Sequence, residues 1–258
     1  MYSKTIISSS FALAWQNAIK FVKKSSMDIE FGGGNERKPA LDSQTSIILD
    51  EHAIADVFAW SVHPSDPFGT KAKIAEYLKE YQAGFDDTIF DYTYRGRLER
   101  GFEQEKYSDE RGHERVALNQ LDILKKGLYK QIDEKLSSNR NIAILFNPEI
   151  ENFSGLATPC LNEIMIRYEG NNKVSIHTTF RSHDLFQAWE SNIIAVLTML
   201  NEEVVKPCGC TIKFLSEHNY SLHIYKHNLE EANNIREISI NPQLRAIQTK
   251  YDSIGAIC

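Results

Sequence analysis

The stretch of sequence that decides the fold is TPCLNEIMIRYEGNNKVSIHTTFRSHDLFQAWESN, residues 158–192. Two segments inside it, LNEIMIRYE and KVSIHTTFR, alternate apolar and polar residues, which is the period of a half-buried β-strand. The GNN between them is typical of a tight hairpin turn. An apolar run then begins beside Ser191 and Asn192, two residue types that often cap a helix. The stretch therefore predicts an antiparallel hairpin followed by a helix.

The segments on either side add helices and further strands. Apolar residues recur at helical spacing in SSSFALAWQNAIKFVKK, in GTKAKIAEYLKEYQAG, which Gly84 ends, and in ALNQLDILKKGLYKQIDEKLSS. TSIILD and NIAILFNP have the composition of buried strands, and CTIKFLSEHNYSLHIYKH indicates two more. TIFDYTYRGRL is rich in β-branched and aromatic residues, so we expect it to be extended. The order of elements predicts one α+β domain over residues 1–258, with fewer signals in residues 1–115.

Composition limits the classes of function. The net charge of −6 comes without a basic stripe, which a nucleic-acid-binding protein usually shows. No apolar run reaches the roughly 18 residues that a membrane span requires. Four cysteines in 258 residues do not make a disulfide framework, and the N-terminal segment lacks the features of a signal peptide. We therefore expect a cytoplasmic protein in a reducing environment.

Cys160 is the candidate nucleophile, because the predicted hairpin brings it near a cation. The thiolate is the reactive form of cysteine, and a neighbouring guanidinium favours it. Arg181 lies at the end of the second strand of the hairpin and Cys160 at the start of the first. The alternative for a single cysteine of this kind is a buried and inert thiol.

Polar residues after the hairpin could bind a nucleotide. Arg181 and Ser182 are good phosphate ligands, through a guanidinium fork and a hydroxyl. The amide of Asn192 can donate to O4 of uracil and accept from its N3–H, whereas cytosine shows the opposite pattern. His223 and Tyr225 share one face of a strand and could hold a sugar hydroxyl. The structural alternatives are a surface ion pair of Arg181 with Asp184, a plain helix cap at Asn192 and a half-exposed strand face.

Two other sites are weaker candidates. The side chains of Cys208, Cys210, His218 and His223 are types that bind structural zinc, but the Cys-x-Cys spacing is tighter than usual. The glycines of residues 32–34 could cradle phosphate, but the segment lacks the lysine and hydroxyl residue of a P-loop, so we interpret it as a mobile loop. We therefore predict no metal site.

Together these motifs resemble the thymidylate synthase and pyrimidine hydroxymethylase family, and above all its archaeal-type thymidylate synthases. The resemblance runs from Arg140 to Tyr225, about half of the chain, through NRNIAILFNP, PCL, FRSHDLFQAWESN and LHIY. Upstream, YTYRGRL and LNQL resemble the family's Tyr-Gly-x-Arg and Asp-Gln elements. The resemblance implies a large mixed, bulged β-sheet flanked by helices.

The resemblance also implies roles for individual residues. Cys160 would add to C6 of a pyrimidine, so that C5 attacks a one-carbon unit from 5,10-methylene-tetrahydrofolate or a tetrahydromethanopterin analogue. Asp184 would contact the base or order water beside it, Tyr94 would help to remove the C5 proton, and either Glu80 or Glu76 would be the catalytic glutamate. The implied substrate-binding residues are Arg181, Ser182, Asn192, His223, Tyr225, Arg140 and Arg37. In this family the arginine that Arg140 matches comes from the facing subunit, which implies a homodimer.

Some positions depart from the family pattern. Asn139 replaces the first of two paired arginines, AWES replaces the segment with proline before the asparagine, and His183 stands where the archaeal branch tends to carry tryptophan. No aromatic residue that shields the one-carbon intermediate from water can be placed. The first hypothesis is therefore conversion of dUMP to dTMP. The alternatives are a pyrimidine-nucleotide 5-hydroxymethylase, acting on dUMP, UMP, dCMP or CMP, and an inactive relative that binds nucleotide or zinc.

Overall fold

The computed structural model describes residues 3–32, 37–67, 69–88, 90–107, 113–151 and 157–255. Its strands are β1 Ser3–Ser8, β2 Met27–Phe31, β3 Lys38–Leu49, β4 Glu103–Tyr107, β5 His113–Ala117, β6 Ile142–Ile144, β7 Leu161–Gly170, β8 Lys173–Phe180, β9 His183–Asp184 and β10 Thr211–Tyr225. Its α-helices are α1 Phe11–Ser25, α2 Glu51–Phe58, α3 Lys71–Leu78, α4 Tyr94–Arg100, α5 Gln120–Asp133, α6 Pro148–Glu151, α7 Trp189–Leu200, α8 Leu229–Asn233 and α9 Pro242–Gly255.

A mixed eight-stranded sheet organises the fold. Its strand order is β1-β3-β10-β8-β7-β6, with β2 paired to β3 and β9 paired to β10. Parallel pairing joins β1 to β3 and β8 to β10, while β3 and β10 are antiparallel. The register shifts at several points, including Asn219 to Leu222 in β10. The predicted α+β class with a large bulged sheet is confirmed.

The hairpin of β7 and β8 forms as the sequence predicts. Gly170 pairs with Lys173, so Asn171 and Asn172 make a two-residue turn. Both asparagines have positive φ, at 51° and 54°, as a type I′ turn requires. The same hairpin pairs Leu161 with Phe180, which places the residues just outside it side by side.

The two faces of the sheet differ in burial. Inward side chains such as Ile164, Ile166 and Ile176 are completely buried in the main core, which α1, α5 and α7 help to cover. The outward side chains of β6, Ile142 and Ile144, are 40% and 48% exposed. The fold thus has a covered inner face and a partly apolar outer face.

Three local predictions were wrong. The segment around Tyr94 was expected to be extended but forms α4, which Thr93 caps by accepting from the amide of Gly96. CTIKFLSEHNYSLHIYKH forms one long bulged strand, β10, because pairing with β3 continues past the irregularity. Helix α7 begins at Trp189, so Asn192 lies in its first turn and is not its cap.

None of the helices in the described ranges is long and apolar enough to cross a bilayer.

Candidate active site

Cys160 and Arg181 lie side by side at the open end of the hairpin. The amide of Arg181 donates to the carbonyl of Cys160 at 2.9 Å. The Arg181 guanidinium turns back to the cysteine loop, where Nε donates to the carbonyl of Pro159 at 3.0 Å and Nη2 to that of Thr158 at 2.7 Å. The cation is therefore held against the loop that carries the thiol, as the sequence predicted.

The thiol of Cys160 is partly buried and carries opposing electrostatic influences. Burial raises its pKa above the usual value, while the Arg181 charge and a hydrogen bond with the Tyr92 hydroxyl lower it. The expected effect of Arg181 is present, but desolvation outweighs it. The thiol is consequently the main form at neutral pH, and the thiolate gains from any further cation or hydrogen-bond donor.

Tyrosines from two segments line the same space. The Tyr94 and Tyr92 rings are 5.9 Å apart, and the Tyr81 ring is 6.2 Å from that of Tyr94. Burial raises the pKa of Tyr92 and of Tyr94 far above the usual range, and the Cys160 sulfur adds to both shifts. The Tyr92 hydroxyl contacts Cys160, whereas the Tyr94 hydroxyl is bonded to the backbone of Leu161. Both tyrosines therefore act as neutral hydroxyls beside the thiol.

Arg97 supports this tyrosine wall from behind. Its guanidinium lies 5.9 Å from the centre of the Tyr92 ring and forms an ion pair with Glu151 at 2.8 Å. The Glu151 side chain is 1% exposed, so the pair is sheltered from solvent. Arg97, the second arginine of YTYRGRL, thus contacts Tyr92, the tyrosine that touches the sulfur.

Asn192 faces the site from α7 with its amide already engaged. The Tyr77 hydroxyl donates to Oδ1, and Nδ2 lies 3.1 Å from Nε2 of His183. A primary amide has two N–H donors and two acceptor lone pairs. These contacts use one of each, so one donor and one acceptor remain for a ligand.

His183 and Glu217 extend this contact into the interior. Nδ1 of His183 lies 3.1 Å from Oε1 of Glu217, and both side chains are essentially buried. Glu217 also accepts from the Trp189 indole at 2.9 Å. The sequence marked His183 only as a departure, and it gave no signal for Glu217 or Tyr77 in the site.

His223 and Tyr225 lie together, as expected from their shared strand face. Their rings are 4.8 Å apart, and Phe31 lies 4.6 Å from His223. Neither ring nitrogen of the buried His223 has a hydrogen-bond partner of normal geometry. Burial, with a smaller contribution from the nearby His183, lowers the pKa of His223 to about 4. Both nitrogens are buried, and a backbone contact with Ser221 partly offsets the fall in pKa. A neutral imidazole without a well-formed hydrogen bond is suited to bind a polar ligand.

Asp184 connects the two groups of residues. The pairing of β9 with β10 sets it opposite His223. Its Oδ1 accepts from the amides of Phe186 and Gln187, both at 3.0 Å. Burial raises the pKa of Asp184, and its charge in turn affects Cys160 and Tyr225. The structural alternative of an Arg181–Asp184 ion pair is not found between these two described side chains, because each bonds to the backbone instead.

The remaining predicted residues differ in their burial and in their local partners. Burial raises the pKa of Glu80, which interacts with Tyr77 and Tyr81, whereas Glu76 forms a surface ion pair with Lys79. Glu80 therefore has the better position of the two glutamates. The other predicted residues are half-buried Ser182, exposed Arg140 ahead of β6, and exposed Arg37, which pairs with Glu30 at 3.2 Å.

The zinc alternative gains no support in the described part of the chain. No group of three or more His, Cys, Asp and Glu side chains there could hold a metal ion. Cys208 is bonded to the carbonyl of Lys125 at 3.7 Å, and His218 contacts Ser46 at 3.0 Å. Residues 33–36, which include two of the three loop glycines, lie outside the described ranges.

Comparison with known proteins gives a consistent result. A family model described as Thymidylate synthase matches residues 70–257. A relative from Methanocaldococcus jannaschii is 32% identical over 165 residues, which are 62% of this chain and 65% of the relative. A Methanosarcina barkeri relative is 24% identical over 224 residues, which are 86% of this chain and 89% of the relative. A Methanopyrus kandleri relative is 26% identical, covering 84% and 90%. All three are provisionally named thymidylate synthases.

Proposed function

Because the chain belongs to the thymidylate synthase family, we propose that it converts dUMP to dTMP through a covalent bond between Cys160 and the pyrimidine. The single observation that carries this proposal is the position of the Cys160 thiol. It lies against Arg181 and Tyr92, and the sulfur also acts on Tyr77, whose hydroxyl is bonded to Asn192. This combination provides a nucleophile, a cation and a base-recognising amide in one place.

Cys160 supplies the nucleophile. Its sulfur adds to C6 of the uracil ring, and the electrons move toward C4–O4, so that C5 becomes nucleophilic. The Tyr92 hydroxyl and the Arg181 guanidinium both favour the thiolate. A bound phosphate would draw on the same guanidinium, since an arginine fork binds phosphate well. Arg181 thus links substrate binding to the position of the thiol loop.

The base, the sugar and the phosphate meet different groups. The remaining N–H of Asn192 donates to O4, and its remaining lone pair accepts from N3–H. The unpartnered nitrogens of His223 and the Tyr225 hydroxyl bind the ribose hydroxyl. Ser182 and Arg181 hold the phosphate, and Arg37 approaches it from the β2–β3 connection.

The residues around Cys160 also suit a reduced pterin. A pterin is a planar ring with N–H donors, and the rings of Tyr77, Tyr81 and Tyr94 form an aromatic cluster beside the carboxylate of Glu80, in which Tyr81 and Tyr94 are buried. The carboxylate of Asp184 lies near Cys160 and Tyr225. Methylene-tetrahydrofolate, or the tetrahydromethanopterin analogue, supplies the one-carbon unit and the hydride for methylation. Glu80 and Asp184 position the ring and ordered water, and the Tyr94 hydroxyl helps to carry away the C5 proton.

A homodimer completes the phosphate site in this proposal. Ile142 and Met165 pair across β6 and β7 on the outer sheet face, which is partly apolar and partly exposed. A second copy packed on this face would carry its Arg140 to the opposite site. Mixing Cys160→Ala subunits with Arg140→Ala subunits should then restore activity, because one site of the mixed dimer is intact. If Arg140 served its own subunit, the mixture would stay inactive.

A 5-hydroxymethylase is the second candidate. Two of the three tryptophans are buried and engaged, Trp15 with the carbonyl of Leu185 and Trp189 with Glu217. The aromatic side chains beside the thiol are tyrosines, whose hydroxyl groups can hydrogen-bond water. Water that reached the one-carbon intermediate would give a hydroxymethyl product.

Product analysis tests the proposal. The protein is incubated with dUMP, UMP, dCMP or CMP together with methylene-tetrahydrofolate or its methanopterin analogue, and the nucleotides are analysed by mass. A methyl gain on dUMP with release of the dihydropterin is the expected result. A hydroxymethyl gain would support the second candidate, and nucleotide binding without turnover would identify an inactive relative.

A further inference from the structure

A continuous chain of hydrogen bonds runs from the core to the base-recognising amide. It begins at Trp189 Nε1, which lies 2.9 Å from Glu217 Oε2. Glu217 Oε1 lies 3.1 Å from His183 Nδ1, and His183 Nε2 lies 3.1 Å from Asn192 Nδ2. Asn192 Oδ1 accepts from Tyr77 at the other end. Neither Glu217 nor His183 is among the residues that contact the nucleotide in the proposed function.

The buried carboxylate of Glu217 decides which atoms donate and which accept along this series of hydrogen bonds. A glutamate carboxylate only accepts hydrogen bonds, so Nδ1 of His183 must carry the proton that faces it. Asn219 Oδ1, 3.3 Å from the same nitrogen, is a second acceptor there. In a neutral imidazole, Nε2 is then an acceptor. Asn192 must therefore turn its NH₂ group toward His183 and its oxygen toward Tyr77.

The direction of this amide matters for the choice of base. Uracil offers an acceptor at O4 and a donor at N3, and cytosine offers a donor at N4 and an acceptor at N3. Rotation of the Asn192 amide by half a turn exchanges its nitrogen and oxygen, so an amide that is free to rotate could bind either base. An amide that is held in one direction binds one base better, because the other leaves buried groups unpaired.

We infer that the Glu217–His183 pair fixes the direction of the Asn192 amide and thereby sets the preference for uracil over cytosine. This inference rests on the proposed function, since it concerns the same nucleotide site. His183 and Glu217 are positioning residues that act through Asn192.

The surroundings of His183 keep the pair rigid. Its ring stacks on Phe180 with centres 3.9 Å apart and planes 12° apart. The side chain of His183 is 1% exposed, and that of Glu217 is completely buried. Pairing of His183 with Leu222 on β10 fixes the backbone beneath the ring. The imidazole therefore has little freedom to turn away from Asn192.

Substitution of His183 by asparagine separates positioning from packing. The new amide can still donate to Glu217 from about the position of Nδ1, but it is too short to accept from Asn192. We expect the ratio of the dCMP and dUMP dissociation constants, measured by calorimetry, to shift toward cytosine by about tenfold, the effect of one misdirected hydrogen bond. Glu217→Gln should shift the ratio in the same direction, because glutamine can donate to His183 and reverse its tautomer.

The matched control is His63→Asn. His63 is also a buried histidine, 1% exposed, and its Nε2 contacts Gln16 at 3.3 Å away from Asn192. This variant should lose stability and keep the wild-type ratio. If His183→Asn weakens both nucleotides equally, its role is structural and the inference is wrong.

Nitrogen-15 NMR of the histidine rings tests the direction without any ligand. In the wild-type protein, Nδ1 of His183 should be the protonated nitrogen, and in Glu217→Gln the proton should move at least partly to Nε2. A proton on Nε2 in the wild type would overturn the inference. If the wild type binds neither nucleotide, the proposed function fails, and the NMR result still decides whether the pair orients the amide.

Discussion

The side of the site with Cys160, the proposed nucleophile, and the side with Asn192, the proposed base-recognising residue, are built differently; we call them the nucleophile side and the base-recognising side. Main-chain hydrogen bonds hold Cys160, since the Arg181 amide and guanidinium bind three successive carbonyls from Thr158 to Cys160. The side-chain amide of Asn192 is held by other side chains alone, His183 on one side and Tyr77 on the other. The position of Cys160 follows from the hairpin and from Arg181. The direction of the Asn192 amide depends on every member of a buried series of hydrogen bonds.

Removal of Arg181 should have the largest effect on activity. Arg181→Ala loses two charge-assisted hydrogen bonds to the cysteine loop and, in our proposal, the contact with phosphate. Each such bond contributes about 1.5–3 kcal/mol, so kcat/KM for dUMP should fall by roughly 10²- to 10⁴-fold. Steady-state kinetics measures this loss.

Arg245→Ala is the control for that variant, because Arg245 is exposed on α9. Its kcat/KM should equal that of the wild type. An Arg181→Ala enzyme with unchanged kcat/KM would show that the main chain alone places the thiol and that phosphate is bound elsewhere.

Loss of the buried carboxylate should mainly affect stability. Glu217→Ala leaves the donors of His183 and Trp189 unpaired in the core, which should lower the free energy of unfolding by about 3 kcal/mol. Urea denaturation measures it, with Glu163→Ala as the exposed comparison on β7. Equal losses in the two variants would mean that the buried chain does not hold the base-recognising side together.

The pH dependence of stability tests His223, which takes part neither in the contacts that hold Cys160 nor in those that hold the Asn192 amide. Its imidazole takes up a proton near pH 6.5 when the chain is unfolded and near pH 4 when it is folded. Between these values the unfolded state binds more protons, so stability present above about pH 6.5 is lost as the pH falls, by at most about 3 kcal/mol. Denaturation curves of His223→Gln should be flatter over this range.

His52→Gln provides the reference for that experiment, since His52 is exposed on α2. Its stability profile should follow that of the wild type. If the unfolding free energy of His223→Gln keeps the wild-type slope against pH, His223 takes up protons equally in the folded and unfolded states. Its pKa is then not lowered by burial, and the imidazole is not the buried neutral group that the ribose contact requires.

The smallest effect is expected at the tyrosine that contacts the sulfur. Tyr92→Phe removes a hydrogen bond that lowers the pKa of Cys160. Alkylation of Cys160 by iodoacetamide at pH 8, followed by peptide mass analysis, should slow about fivefold, the effect of roughly 1 kcal/mol. Tyr94→Phe should slow it less, because the Tyr94 hydroxyl is bonded to the Leu161 backbone. The reverse order would exchange the roles of the two tyrosines.

Local patterns in the sequence account for the nucleophile side. Alternation in β7 and β8 and the GNN turn predict the hairpin, and the hairpin alone brings Cys160 to Arg181. The adjacent prediction for Tyr94 failed because aromatic and β-branched residues outweighed the capping signal of Thr93. Propensity describes short segments well only when no cap or tertiary contact decides between two states.

The base-recognising side could not be predicted in the same way. Tyr77 lies 115 positions before Asn192, and Glu217 lies 34 positions after His183. Such contacts exist only once the β9–β10 pairing and the packing of α3 on α7 have formed. The sequence indicated Asn192 as a residue type suited to uracil, but it gave no sign of the side chains that orient it.

The most direct test of the central claim is release of tritium from 5-tritiated dUMP in the presence of the pterin cofactor. Exchange at C5 requires prior addition of a nucleophile at C6. Cys160→Ala should reduce release to the background rate, and Cys208→Ala, which removes another partly buried thiol, should leave it at the wild-type level. Continued release in Cys160→Ala would contradict the assignment of Cys160 as the nucleophile.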